Sequence, residues 1–369
     1  MPWLFVLADQ NGADVAVLNS VTSRHVSFMM NGAGSAGFVA PPRSHAAKLL
    51  KPGLSRLKVY REFTAKERTR LGTTARRQLR FYGSLPEEAV TEDTTEGVTA
   101  TFMDPLWILA ERWSSPNALL TGALETYSNV DGEAILWGLV DMQNSRDGGD
   151  TFIRRGGAAI GANYSVTFDR QPVLGMMQAF ANTAAGPDFN IEPVDGWADA
   201  SSRVMGNLMV YPRMGEPLPH VAFRYGSKIG SNCGKMSRTY SRVVTLAQVS
   251  GTTRTTGVPI VDTYGAPGAS PYGLREHFSA EADGTTATML QIRSRGIVAA
   301  YETPRQIITI TNPLPNAPAF GVDYDLGDTV TAACKSGAME FDAQVRVHAA
   351  QIQLDQAGRE NLTTTTAEI

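Results

Sequence analysis

GVDYDLGDTV, Gly321–Val330, holds three aspartates close together: Asp323, Asp325 and Asp328. Read as a calcium loop, the stretch points to a metal site. Read as paired carboxylates, it points to a hydrolase; read as an alternating strand with a turn, to a β protein. The spacing rejects the first reading, because a D-x-D-x-D-G loop ends in Glu at its twelfth position. Counting from Asp323, that position is Cys334. The second reading needs two acids across a cleft, and nothing singles out a pair among the 36 acidic residues. The third has a pattern behind it. Phe320, Val322, Tyr324 and Leu326 alternate with Asp323 and Asp325, as on a strand with one apolar and one charged face. Gly327-Asp328 then turns the chain into the strand TVTAAC, 329–334.

Working outward, strand texture dominates both ends of the chain. VAVLN (15–19), HVSFMM (25–30), SRLKVYREF (55–63), RQLRFYGSL (77–85) and GVTATFM (97–103) are short runs of Val, Leu, Phe and Tyr with polar, Gly or Pro punctuation. In LKVYREF, Leu57, Val59 and Arg61 alternate with Lys58, Tyr60 and Glu62, which predicts a strand with one face buried. The last third repeats this texture in VMGNLMVYPRM (204–214), PHVAFRYG (219–226), RTYSRVVTLAQVSG (238–251), RQIITITN (305–312) and FDAQVRVHAAQIQLDQAG (341–358). RVVTLAQVSG reads as one long barrel strand, with Val244 and Leu246 facing the core and Thr245 the other way. Gly251–Thr253 and Asp355–Gly358 supply turns. The tail ENLTTTTAEI (360–369) reads as loose.

Between these ends the period changes. DPLWILAERW (104–113) sets Pro105 after the cap-type residue Asp104. EAILWGLVDMQNSR, from Glu133, and PVLGMMQAFANTAAGPDF, from Pro172 to a stop at Gly186-Pro187, space their apolar residues as helices do. GAAIGANYSVTFDR (157–170) is extended. A further helix is predicted over Thr286–Pro304, with Thr286 as its cap. Four of the five tryptophans (Trp107, Trp113, Trp137, Trp197; the other is Trp3) lie in the middle stretch and read as its core.

Composition excludes several classes. Net charge is -3 with 43% hydrophobic residues, so the chain is globular and is not an overall nucleic-acid binder, although Arg43–Arg80 is locally basic. No apolar run reaches the length of a membrane span. The opening MPWLFVLADQ lacks a basic n-region and breaks at Asp9, so no secretory signal is expected. The two cysteines, Cys233 and Cys334, are expected as reduced buried thiols, a single bridge being the alternative. GAGSAG at Gly32 lacks the Lys-Ser/Thr of a phosphate loop and the βαβ setting of a dinucleotide site, so it reads as a flexible loop. The histidines His25, His45, His220, His277 and His348 show neither i,i+4 pairing nor a Cys–His cluster. No catalytic, cofactor-binding or metal-ligating residue is assigned, no cofactor is implied, and no enzyme activity is expected.

Taken in order, several of these strings resemble the siphophage tail-tip (baseplate hub) family, minor tail proteins akin to the hub of contractile-tail baseplates. They are LSRLKVYREF with RQLRFYGSL, VTATFMDPLWILAERW, FRYGSKIGSNCGKMSRTYSRVVTLAQVSG (223–251), PYGLREHF (271–278), DYDLGDTV and QVRVHAAQIQLDQAGRENLTT (344–364). The resemblance implies a mainly β fold with an α+β insertion. Two tail-tube-like β-barrel domains would occupy 1–104 (completed by about 201–225) and 226–369, the latter with a small helical insertion near 270–304. The α+β insertion domain would span 105–200. It further implies a homotrimer of six barrels that closes the distal end of the tail tube, fits the six-fold tube to a three-fold tip and forms part of the DNA ejection channel. The implied neighbours are a distal tail protein, a tape measure protein and other tail-tip proteins, in a virion assembled in the host cytoplasm, with DNA passing the lumen without specific binding. The three aspartates would then face a lumen or a turn. The close at Ile369, soon after the last strand, weighs against a C-terminal lytic module. The rival readings are a tail-associated cell-wall hydrolase, which needs a cleft site, and a receptor-binding adhesin, which needs an exposed aromatic groove.

Overall fold

Strand dominates, as the alternation requires. A computed structural model describes residues 2–368 other than 94–96, 114–124, 169–171, 184, 198–202, 227–229, 253–257, 281–286, 315 and 338. The first stretch forms β1 (Trp3–Ala8), β2 (Asp14–Val17), β3 (Ser23–Met29), β4 (Ser35–Ala40), α1 (His45–Leu49), β5 (Arg56–Glu62), α2 (Ala65–Leu71), β6 (Arg77–Ser84), β7 (Val90–Asp93) and β8 (Gly97–Met103). The middle stretch forms α3 (Leu106–Glu111), β9 (Glu125–Asp131), α4 (Gly132–Asn144), β10 (Ile153–Arg155), β11 (Asn163–Phe168), α5 (Val173–Ala181), β12 (Asp188–Trp197) and β13 (Arg203–Tyr211). The last stretch forms β14 (Pro217–Tyr225), β15 (Cys233–Tyr240), β16 (Leu246–Thr252), β17 (Pro259–Gly265), β18 (Glu276–Ala280), α6 (Ala287–Tyr301), β19 (Gln306–Pro313), β20 (Thr329–Ser336), β21 (Met339–Leu354) and β22 (Glu360–Glu368).

One sheet joins the two ends of the chain. Its order is β15-β19-β22-β21-β3-β4-β8-β6-β5-β1-β2, with β14 on β20, β20 on β21 and β7 on β8. The sixteen-residue β21 is the connector. Its first half pairs with β20, Val345 opposite Val330, and its second half pairs with β3, Ile352 opposite Val26. Such length lets one strand serve two partners along one edge while β22 occupies the other. A single apolar cluster follows the sheet, from Trp3, Phe5 and Leu57 through Phe28 and Phe320 to Val345, Ile352 and Leu362.

The strand path is open among the described residues, so the barrels implied by the resemblance are not closed ladders here. In the last stretch the ends of the path β14-β20-β21-β22-β19-β15 approach each other through Asn232, a residue the sequence reading passed over. Its backbone N–H donates to Arg224 O at 3.0 Å and its amide Nδ2 to Ala222 O at 2.8 Å, while Arg224 N donates to its Oδ1 at 2.7 Å. One side chain thus satisfies edge groups of β14 that a neighbouring strand would otherwise take.

Three local readings are corrected. ENLTTTTAE is not loose: it is β22, paired on one side with β19 and on the other with β21. Leu362, Thr364 and Thr366 are buried in alternation. RVVTLAQVSG is not one long strand: β16 begins only at Leu246. β15 ends at Tyr240, and the chain crosses to a separate three-stranded sheet, β17-β16-β18, whose one face packs on α6. In the crossing, Val244 N donates to Tyr301 O, and Thr245 N and Leu246 N donate to Arg275 O. Val244, Thr245, Ala247 and Val249 are buried while Leu246 is half-buried, so Leu246 does not face the core. FGVDYDL is a turn: Phe320 and Tyr324 meet in an isolated bridge, and Gly321 N donates to Tyr324 O at 2.8 Å. Three of the four apolar side chains in the predicted alternation, Phe320, Tyr324 and Leu326, are in the main core, while Val322 is half-buried.

β5 departs from its one-faced reading. Leu57 and Val59 join the core, but Arg56, Lys58, Tyr60 and Arg61 are buried too. Lys58 reaches Asp14 at 3.0 Å and lies over the Tyr82 ring, and Arg61 pairs with Glu67 at 3.0 Å and lies over Trp3. Aromatic faces and carboxylates are what make buried cations tolerable.

The middle stretch has its own apolar cluster, from Leu106 and Leu109 through Ile135, Leu139, Met176, Met177 and Phe180 to Phe189, Leu208 and Val210. α3, α4, β11 and the helix over 287–301 lie where the spacing predicted them; Thr286 falls outside the described residues. α5 stops at Ala181, short of Gly186-Pro187. The tryptophans are not this core. Trp137 only flanks it, Trp113 is 56% exposed, Trp107 is half-buried, and Trp3 sits in the main core. The side chain of Trp197 lies outside the described residues.

Candidate functional site

Where the first stretch, β12–β13 and the Gly321–Val330 turn meet, they leave a cleft of about 530 Å³ lined by Phe28, Gln78, Arg80, Tyr82, Asp104, Glu192, Tyr211, Asp325 and Asp328, among others. Asp325 and Asp328 line it and Asp323 lies in the same turn outside the lining, and each of the three is engaged by a donor. Asp325 takes both oxygens to Arg80 Nη2, at 2.7 and 2.5 Å, and Arg80 lies over the Phe28 and Phe320 rings. Asp323 pairs with Arg70 and accepts from Ala319 N at 2.8 Å. Asp328 accepts from Asp325 N at 2.7 Å and Glu216 N at 2.9 Å. Burial, with the nearby Asp325 carboxylate adding to it, raises the Asp328 pKa against the pull of those two N–H donors. The stretch is therefore a capped turn clamped to α2 and β6, not a strand.

Asp104 falls one residue before the cap position of α3, which is Pro105 and not Asp104 as the sequence predicted, yet its carboxylate still binds the first helical N–H. Its Oδ1 accepts from Leu106 N at 2.9 Å, opening α3, and its Oδ2 accepts from Gly34 N at 2.5 Å. A Cβ at Gly34 would come within 2.9 Å of Ser27 O, so the GAGSAG glycines serve close backbone approach and not flexibility. The carboxyl lies deep in the protein with a partial opening onto the cleft. Burial pushes its pKa up to about 7, with the Gly34 and Leu106 N–H groups opposing.

A second junction lies next to the cleft. Asp188, at the start of β12, accepts from Asn31 Nδ2 at 2.9 Å, Met214 N at 2.8 Å and Arg346 Nη2 at 2.5 Å. Arg346 also donates to Met214 O and, through Nε, to Gly327 O at 3.0 Å. Asn31 holds φ at 56° and accepts from Phe189 N at 2.7 Å. Gly215 and Gly327, both at positive φ, approach so closely that a Cβ on Gly215 would fall 2.1 Å from Gly327 C. Five segments, around Asn31, Asp188, Met214, Gly327 and Arg346, are pinned at one point. Sequence reasoning missed Asp188, Arg346 and Asn31; only Asn31-Gly32, a turn dipeptide in which Asn tolerates the left-handed region, left a signal.

The arrangement can clamp; it shows no nucleophile beside a base. Among the described residues no group of three or more His, Cys, Asp or Glu converges as a metal site. The histidines are dispersed: His25 is packed near Gly37, and burial lowers its pKa, as it does for His348, where Arg346 adds to the effect. Both cysteines are buried thiols in the main core; burial pushes Cys233 up to about 11. No described helix is long and apolar enough to cross a membrane.

No family model and no curated protein matches the sequence. Solved structures do. The tail protein from Neisseria meningitidis MC58 superposes with a TM-score of 0.59 at 12% identity, covering 100% of this chain and 97% of that one. The chain has the fold of phage tail proteins. The 43 kDa tail protein of prophage MuSo2 from Shewanella oneidensis superposes at 0.54 with 12% identity, covering 98% and 97%, and the prophage tail protein gp18 from Listeria monocytogenes EGD-e at 0.50 with 11% identity, covering 98% and 94%. The tail-protein fold therefore extends over both β stretches and the α/β stretch between them, at identities where only the fold is shared.

Proposed function

We propose that this chain is a structural virion protein, the hub of a phage tail tip. In this reading it closes the distal end of the tail tube, matches the six-fold tube to a three-fold tip as a homotrimer, and lines part of the DNA ejection channel. It is not an enzyme. Each subunit contributes two tube-like β units with open strand paths, 1–104 completed by about 201–225 and 226–369, around an α+β insertion at 105–200. Its neighbours are a distal tail protein, a tape measure protein and other tail-tip proteins. The observation that carries the reading is the end-to-end match in fold to a bacterial tail protein of nearly equal length, together with the continuous sheet in which β21 fuses the two β stretches. A rigid fused pair of β units per subunit lets three subunits present six equivalent faces to a tube. The open strand path fits a subunit whose edges are covered by its neighbours, since bare edges invite uncontrolled pairing. The clamped carboxylates fit a load-bearing junction. Quantitative mass spectrometry of purified virions tests the reading: three copies per tail are expected, and absence from the virion, or six copies, would contradict it.

A further inference from the structure

Helix α2 is held at both ends and buries nothing. Thr64 Oγ1 accepts from Glu67 N at 3.2 Å, Glu67 Oε2 accepts from Thr64 N at 2.7 Å, and Gly72 closes the helix at φ 63°. None of its seven residues is buried. A helix this short does not persist on propensity alone, since isolated helices need about 12–15 residues. The caps and the Arg70–Asp323 ion pair hold it on the surface. Positive charge is left over on Lys66 of α2 and on Arg76 before β6, beside Arg77, which lies over the Tyr60 ring, with Glu67 as the single acid between Thr64 and Arg80. Glu67 is already paired with Arg61. The exposed side chains of Lys66 and Arg76 make no hydrogen bond or ion pair among the described residues.

Opposite charge lies at the other end of the same run of chain. β6 leads away from α2 to Ser84, which pairs with Met103 at the end of β8. β7 then pairs back along β8, Val90 opposite Ala100 and Asp93 opposite Gly97. This register sets the Asp93–Gly97 end of the β7–β8 pair and α2 at opposite ends of one strip. The chain around β7 carries Glu87, Glu88 and Glu92, all exposed, and no Lys or Arg occurs between Arg80 and Arg112. Glu88 and Glu92 have no ion partner among the described residues.

We infer that the basic α2 end of one copy docks on the acidic β7 end of the next, so that the occupant of each patch is a second copy of this chain. The inference deepens the ring reading and rests on it. Two different patches on one subunit make a head-to-tail contact, which closes into a ring when its rotation closes. Charges at such a contact set orientation and register and speed the encounter. The acids also keep the β7 edge from pairing indiscriminately.

Charge reversal tests it in the full chain. Lys66→Glu with Arg76→Glu, and separately Glu88→Lys with Glu92→Lys, should each weaken self-association in sedimentation by about tenfold or more, because like charges then face each other. The four changes together should restore it, and added salt should weaken the wild type. Unchanged thermal melts establish that these exposed positions do not act through folding. Wild-type association that ignores both reversals and salt overturns the inference, as does a wild type that never self-associates, or a four-fold variant that stays as weak as the pairs. So does a Lys66/Arg76 variant that loses retention on duplex DNA while associating normally, which would assign α2 to nucleic acid. The ring reading is judged separately, by copy number in the virion: a count other than three removes that reading whatever the charge variants do.

Discussion

Asp104 carries a perturbed pKa that burial accounts for, against the pull of its backbone hydrogen bonds. Both oxygens are occupied by backbone donors, Gly34 N and Leu106 N, and burial pushes the group from 3.8 to about 7. Between those values the folded chain keeps a proton that the unfolded chain releases. Stability from this group is therefore greatest below about pH 4, falls as the pH rises to about 7 and is flat beyond. The swing is at most about 4 kcal/mol, and water in the cleft reduces it. Urea unfolding at pH 4.5 and 7.5 checks this: Asp104→Asn should lose that part of the decline, and an unchanged pH dependence in the variant would count against the assignment. At the neighbouring junction, Asp188 and Arg346 are nearly buried, at 9% and 13% side-chain exposure. Asp188→Ala should cost about 3–5 kcal/mol, because it leaves the guanidinium buried without its carboxylate. Asp188→Ala with Arg346→Met should cost less than the sum of the two single changes, read as a double-mutant cycle; strict additivity would show that the pair is not coupled.

At the scale of elements, alternation was legible wherever a strand had one dry and one wet face, as in β3, β8 and β21, and helical spacing was legible in α4. Legibility failed for three different reasons. β22 is built of threonines, which favour strands through their β-branching while reading as polar; Thr366 is buried with its hydroxyl donating to Ile308 O. Thr366→Lys should therefore abolish soluble expression, whereas Thr365→Lys, half-buried on the other face, should be tolerated. Equal yields would show that β22 is not a central strand. The stretch over 238–251 failed because alternation cannot report a change of sheet. Thr245 is buried, its Oγ1 donating to Gly273 O at 2.7 Å and accepting from Arg275 N at 2.8 Å, while Leu246 is only half-buried. Thr245→Asp should thus lower the melting temperature more than Leu246→Asp; the reverse order would restore the continuous strand. The Asp323–Asp328 turn failed because its apolar alternation is real but serves inward anchoring, with the aspartates spent on backbone N–H groups and on Arg70 and Arg80. Those arginines lie some 245 residues away in sequence from their partners, and single-sequence patterning has no access to such pairs.

At the scale of the whole molecule, one fold spans the full chain and one sheet unites its two ends. The mainly β architecture and its α/β middle were readable from period alone. The fusion through β21 was not, because a sixteen-residue strand reads the same whether it has one partner or two along an edge. Nor was the bridging of β14 and β15 by Asn232, a single amide among many polar residues. Both features bear on the proposed ring assembly. The most direct measurement is a reconstruction of phage tail tips by electron cryomicroscopy without imposed symmetry. The account predicts three copies of this chain in a ring below the tube, with each β7 edge facing the α2 end of the adjacent copy. Six copies at the tip, or density for this chain only outside the tube axis, would contradict it.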